Sequence, residues 1–205
     1  MVNAQRVRLA GIAYMVGSVL WLVGGAVGLA IWGTDDVPPG SAAFYTVEAV
    51  FVLIQLLLLV GFFGVLWSDG IGRSIFGKIA FGIGATGHLL FLAGEAHSLV
   101  LGTLSEELIA LGALVSAIGM LLTGIVTVAA KRWQGWTRWM PLVAGLYPWL
   151  VMFPIFVIAA QTSSVAIVGW GLARLALGAA IYTQATVVST TTSVPRVKLP
   201  QGGIQ

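Results

Sequence analysis

The chain contains no cysteine. Disulfides, thiol nucleophiles, Fe–S clusters and zinc–thiolate centres are therefore excluded, while the redox compartment stays undetermined. Charge is scarce as well: 8% of the 205 residues are Asp, Glu, Lys or Arg, against about 25% in a soluble domain. So few charges cannot cover a globular surface in water, and a water-soluble domain is excluded. Glycine-rich phosphate loops are missing, and neither Ser98 nor Ser116 sits in a G-x-S-x-G elbow. The apolar runs show no alternation of period two and are too long for barrel strands, which argues against a β-barrel.

What the chain does have is apolar length. Hydrophobic residues make up 59% of it and the mean hydropathy is +1.00. A membrane-spanning helix needs roughly 20 apolar residues, and six stretches reach that: Leu9–Trp32, Phe44–Trp67, Ile75–Leu101, Leu108–Ala130, Trp139–Ala160 and Val165–Val187. The expected fold is an all-α, six-helix transmembrane bundle over residues 1–188. Polar breaks separate the runs: Asp35-Asp36 with Pro38-Pro39-Gly40, Asp69-Gly70, Glu106-Glu107, Lys131-Arg132 and Gln161–Ser164. The first run, 24 residues long, exceeds a signal-peptide core of roughly 7–15 and reads as an uncleaved span. The tail, 189–205, is rich in Thr, Ser, Pro and Gly and is expected to be disordered and cytoplasmic.

Charge sets the orientation. Arg6, Arg8, Arg73, Lys78, Lys131, Arg132, Arg138, Arg196 and Lys198 all fall on one side of a six-span arrangement. The opposite side carries Asp35, Asp36, Glu106 and Glu107. The positive-inside rule then puts both termini in the cytoplasm. The net charge of +3 reads as setting orientation in the lipid bilayer rather than as nucleic-acid binding. Trp32, Trp67, Trp133, Trp136 and Trp139 stand at the span ends as an interfacial belt, with Trp21, Trp149 and Trp170 deeper.

Helices associate in lipid through small residues. Gly17, Trp21, Gly24 and Gly28 form one such stripe, and Gly112, Ser116, Gly119, Thr123 and Thr127 another. Both are expected to pack inside the bundle rather than form a homodimer face. Pro148 and Pro154 should kink or break the fifth span.

Ionisable groups inside a span are costly and mark candidate sites. Here they are Glu48, His88, Glu95, His97 and Arg174, with Gln55 as a neutral addition. Glu48 with Gln55, and His88 with Glu95, are each seven apart and share a helix face. Glu48, Gln55, His88, Glu95 and Arg174 form the candidate intramembrane polar site. Glu95 is the preferred counter-ion of Arg174 and Glu48 the second choice. Such a cluster is either an ion pair locking three helices or a substrate or proton site.

Catalytic and cofactor chemistry finds little support. His88 and His97 lie on opposite faces of one helix, which excludes a bis-histidine haem within the chain. No third nitrogen or sulfur ligand completes a zinc site. No metal, cofactor or catalytic residue is expected.

The segments "LLLLVGFFGVLWSDGIGRSIFGKIAFGIGATG" and "LLTGIVTVAAKRWQGWTRWMPLVAGLYP" give the chain a resemblance to bacterial multi-pass membrane proteins of similar length. In those, a glycine-patterned hairpin precedes a "G…T…RW" junction. The resemblance implies a multi-pass inner-membrane protein and carries no activity or site residue. Three function classes follow. A non-enzymatic accessory or interaction protein comes first, with a membrane-protein partner or a second copy of itself in the bilayer. A small transporter or small-molecule or lipid binder using the Glu/Arg site is the alternative. An intramembrane enzyme or cofactor carrier is the third.

Overall fold

The computed structural model describes residues 3–32, 37–159 and 164–192. These form α1 (Ala4–Trp32), α2 (Ala42–Trp67), α3 (Ile75–Leu101), α4 (Glu106–Ala130), α5 (Met140–Tyr147), α6 (Phe153–Ala159) and α7 (Ser164–Thr192). A 3-10 turn, Gly135–Trp139, leads into α5, and a π turn, Pro148–Met152, joins α5 to α6 as one fifth span. All six spans are long and apolar enough to cross a membrane. Asp35, Asp36, residues 160–163 and the expected tail from 193 onward lie outside the described residues.

The ends follow from local chemistry. Ser41 and Ser74 cap α2 and α3 by accepting hydrogen bonds from the Phe44 and Gly77 amides at 3.1 and 2.9 Å. Gly102 closes α3 in the left-handed conformation, φ +71°. The prolines sit where their missing N–H costs least: Pro141 and Pro154 in the first turns of α5 and α6, and Pro148 at the head of the π turn. The expected break in the fifth span is thus this π turn. Helix α1 begins at Ala4, a turn before Leu9, and α7 continues to Thr192.

Each span packs against two neighbours, α1 on α2, α2 on α3, α3 on α4, α4 on α5 and α5 on α7, with α7 returning to α1. The spans therefore form a closed ring. Arg8 lies over the Tyr182 ring, 5.4 Å from its centroid, so the start of α1 and the end of α7 share one face. The loops carrying Arg73, Lys131 and Arg132 meet at that basic end, where Arg132 pairs with Asp69 at 3.5 Å. Trp133 is buried there and donates to the Ser68 hydroxyl at 3.2 Å. It belongs to the loop core and not to the expected interfacial belt, which Trp136 and Trp139 do supply as exposed residues.

Small residues hold the ring together. Added methyl groups at Gly87, Gly94, Gly112 and Gly119 would strike the facing backbone around Ser116, Ile109, Phe91 and Gly84 respectively, so α3 and α4 touch backbone to backbone in one antiparallel register. The expected α4 stripe is therefore an internal seam. The α1 stripe differs: Gly17 packs on α2, but Gly24 and Gly28 face open space. Helix α1 meets α7 instead through Gly11 against Tyr182, Gly25 against Val168, and its Leu22 and Met15 against Gly171 and Gly178. Its outward stripe, Leu9, Ile12, Val16, Val19, Val23 and Val27, is exposed and faces lipid.

Candidate functional site

A ring of helices leaves its axis to side chains. Heptad-like spacing sends one stripe from each helix inward: Tyr14 and Trp21 from α1, Glu48, Phe51, Gln55 and Phe62 from α2, and Phe81, His88, Phe91 and Glu95 from α3. Trp170 and Arg174 come from α7. All five residues of the expected polar site are buried: Glu48, Gln55, His88, Glu95 and Arg174 expose 5% or less of their surface.

They form two layers. Gln55 and His88 lie seven residues, roughly 10 Å, deeper than Glu48 and Glu95 counted from the acidic end. Arg174 and Tyr14 join the deeper layer, close enough for the guanidinium charge to act on both Tyr14 and His88. Between the layers stands an aromatic collar. Trp21 meets Phe51 and Phe91 edge-on, with centroids 5.6 and 6.2 Å apart, and its indole N–H donates to the Ile167 carbonyl at 3.0 Å. Trp170 donates to the Ala144 carbonyl at 3.0 Å. The Arg174 guanidinium carbon lies 3.5 Å from the Trp170 ring centroid and 4.9 Å from that of Trp21. Toward the basic end the stacked rings of Phe62 and Phe81, 4.9 Å apart, form the floor, and Phe62 touches His88.

The expected Arg174–Glu95 ion pair does not form, nor does the pair with Glu48. The two carboxyl groups instead lie near each other across α2 and α3, with Glu48 Oε2 buried and unpartnered. Two neighbouring carboxyls can hydrogen-bond to each other only when one of them carries a proton. Arg174 lies against the indoles of Trp170 and Trp21 instead.

Arg174 therefore keeps a buried guanidinium whose Nε, Nη1 and Nη2 all lack hydrogen-bond partners. Both ring nitrogens of His88, both amide atoms of Gln55, and the hydroxyls of Tyr14 and Thr123 are likewise unpartnered. Buried polar groups in native proteins are nearly always satisfied. A whole layer of unsatisfied ones, offering both donors and acceptors, makes this layer the candidate place for something polar to bind. Sequence reasoning missed Tyr14, although its seven-residue spacing from Trp21 places both on one face.

His97 stands apart. It is on the exposed side of α3, with Nδ1 2.7 Å from the Ser105 hydroxyl, so the two histidines do face opposite ways. Trp149, on the fifth span, is half-buried and makes an offset ring contact with Phe153 at 5.0 Å. Two open grooves of about 400 Å³ each lie at the basic end, one beside Arg8 and Tyr182, the other beside Arg73 and Arg132; neither includes a residue of the polar layer.

The carboxyl pair makes a prediction of its own. Glu95→Gln retains a donor for Glu48 and should change stability in detergent by less than about 0.5 kcal/mol. Glu95→Ala should cost about 1–3 kcal/mol, because Glu48 is left without its partner. Adding Arg174→Gln to either variant should give additive effects in thermal unfolding, since the two layers do not touch. Comparison of the chain with family models, curated proteins and solved structures gives no match, so the site itself carries the functional reading.

Proposed function

We propose that the protein is a small carrier of the bacterial inner membrane that binds an anionic small molecule on Arg174. The observation that carries this is the buried guanidinium with no carboxylate and no hydrogen-bond partner among the described residues. An Arg at mid-membrane depth costs roughly 2.5–3.5 kcal/mol. Retaining it without a counter-ion makes physical sense when the counter-ion is brought in as ligand. Indoles occupy its faces, and the ligand takes the in-plane N–H groups, the geometry that guanidinium offers a carboxylate.

Two features favour carriage over static binding. The site lies near the middle of the spans, and the π turn of the fifth span lies next to it, between Ala144, which holds Trp170, and the lipid-facing end of α6. Tyr147 at that turn donates to the Ala166 carbonyl at 3.2 Å, tying it to α7 four residues before Trp170. The accessory-protein reading gains no comparable support from any residue of the interior.

The positive-inside rule supports cytoplasmic termini, with the carboxyl layer toward the outside. A single cysteine introduced at Glu107 should react with an impermeant thiol reagent in intact cells, and one at Gln134 should not. Labelling at Gln134 alone would reverse the orientation. Transport is tested in proteoliposomes with radiolabelled lactate as probe. The wild-type chain should accelerate lactate exchange above protein-free vesicles, and Arg174→Met should return it to that background. Exchange at an undiminished rate by Arg174→Met would refute the carrier reading.

A further inference from the structure

We infer that the occupant of the polar layer is a small organic acid that carries its own hydrogen-bond donor, a hydroxyl or amide, beside its carboxylate. This rests on the reading of Arg174 as the anion-holding group and deepens it.

Arg174 has donors only, and an anion of any kind would satisfy it. The groups around it do not share that requirement. Gln55 is buried with both its carbonyl oxygen and its amide nitrogen unpartnered. His88 is buried with both ring nitrogens unpartnered, and a neutral imidazole presents one N–H and one bare nitrogen. The Gln55 oxygen and the bare His88 nitrogen are acceptors, and a simple carboxylate or a halide has nothing to donate to them. As the layer is arranged, the Tyr14 hydroxyl donates to neither of them, and filling the layer with such an ion would leave both acceptors dry. A hydroxyl on the same small molecule satisfies the Gln55 oxygen while the carboxylate engages Arg174.

Position agrees with chemistry. Gln55 lies between Phe51, which touches Trp21, and Phe62, which touches His88, all on one face of α2. It therefore shares the compartment in which the Arg174 charge reaches His88. The Trp21–Phe51–Phe91 contacts lie on one side of that layer and the Phe62–Phe81 stack on the other. The Glu48–Glu95 pair, on the far side of the collar, is not part of this recognition.

The test uses propionate, lactate and 3-hydroxypropionate, which differ by one hydroxyl and its place. Binding to wild-type protein in phosphatidylcholine nanodiscs is measured by calorimetry, beside Arg174→Met and Gln55→Leu. At least one hydroxy acid should bind about tenfold or more tightly than propionate, since one further hydrogen bond to a buried acceptor is worth roughly that factor. Gln55→Leu should keep propionate affinity and lose most of the preference. Arg174→Met should bind none of the three. Equal affinity for all three in the wild type, or a preference that survives Gln55→Leu, overturns the inference while leaving Arg174 as the anion site. No binding to the wild type, or equal binding to Arg174→Met, overturns the anion site and the inference with it.

Discussion

Replacing Arg174 by methionine should preserve or raise the stability of the folded protein while abolishing its ligand response. The substitution removes a buried, unpaired charge and keeps the apolar stem. An isosteric apolar replacement of buried charge gains about 1–4 kcal/mol when packing is retained. The stacking on Trp170 and Trp21 is lost in return, and a desolvated cation–π contact is worth about 2 kcal/mol. An unpaired charge belongs in the upper half of that range, so the net expectation is a gain of up to about 2 kcal/mol, read as an unchanged or higher melting temperature in detergent. A salt-bridged arginine predicts the opposite, because removing one partner of a buried pair costs about 3–5 kcal/mol. The sign of the shift thus separates an arginine kept for binding from one kept for structure. A fall in melting temperature for Arg174→Met contradicts the unpaired site.

The second large effect concerns the α3–α4 seam. A side chain at Gly119 would fall on the Gly84 backbone nitrogen, with no flexible neighbour to yield. Gly119→Leu must push the two helices apart along a seam that also includes Gly87 and Gly112, and should cost about 3 kcal/mol or more. His88 lies between Gly84 and Phe91 on this same helix, so the polar layer should be disrupted with it. Gly24→Leu provides the contrast. Nothing lies within 4 Å of the position, and this substitution should be neutral within about 0.5 kcal/mol. Thermal unfolding of the two variants side by side checks both; a comparable loss for each would mean that the α1 glycine also lies in a seam.

These two glycines show what one sequence can and cannot reveal. Six spans, their polar breaks and the inward burial of Glu48, Gln55, His88, Glu95 and Arg174 are legible because lipid imposes a crude rule on length and charge. Which neighbour a glycine meets is set by the ring, and Gly17, Gly24 and Gly28 share a stripe yet differ in what faces them. The partner of Arg174 was misread for a related reason. Counting depth along helices places Glu95 within reach, but it does not register that the guanidinium lies against the Trp170 and Trp21 rings. Tyr14 escaped because a tyrosine in an apolar run looks like packing until its hydroxyl is seen to lack a partner.

The central claim is a guanidinium held free for a ligand, and ¹⁵N NMR of arginine side chains in nanodiscs addresses it most directly. The Arg174 resonance is identified by its loss in Arg174→Met. Addition of lactate should shift that resonance and slow its exchange with water, leave the other arginines in place, and have the same effect in Glu95→Gln. An Arg174 resonance that ignores lactate but moves on Glu95→Gln would place a protein carboxylate on the guanidinium and contradict the account.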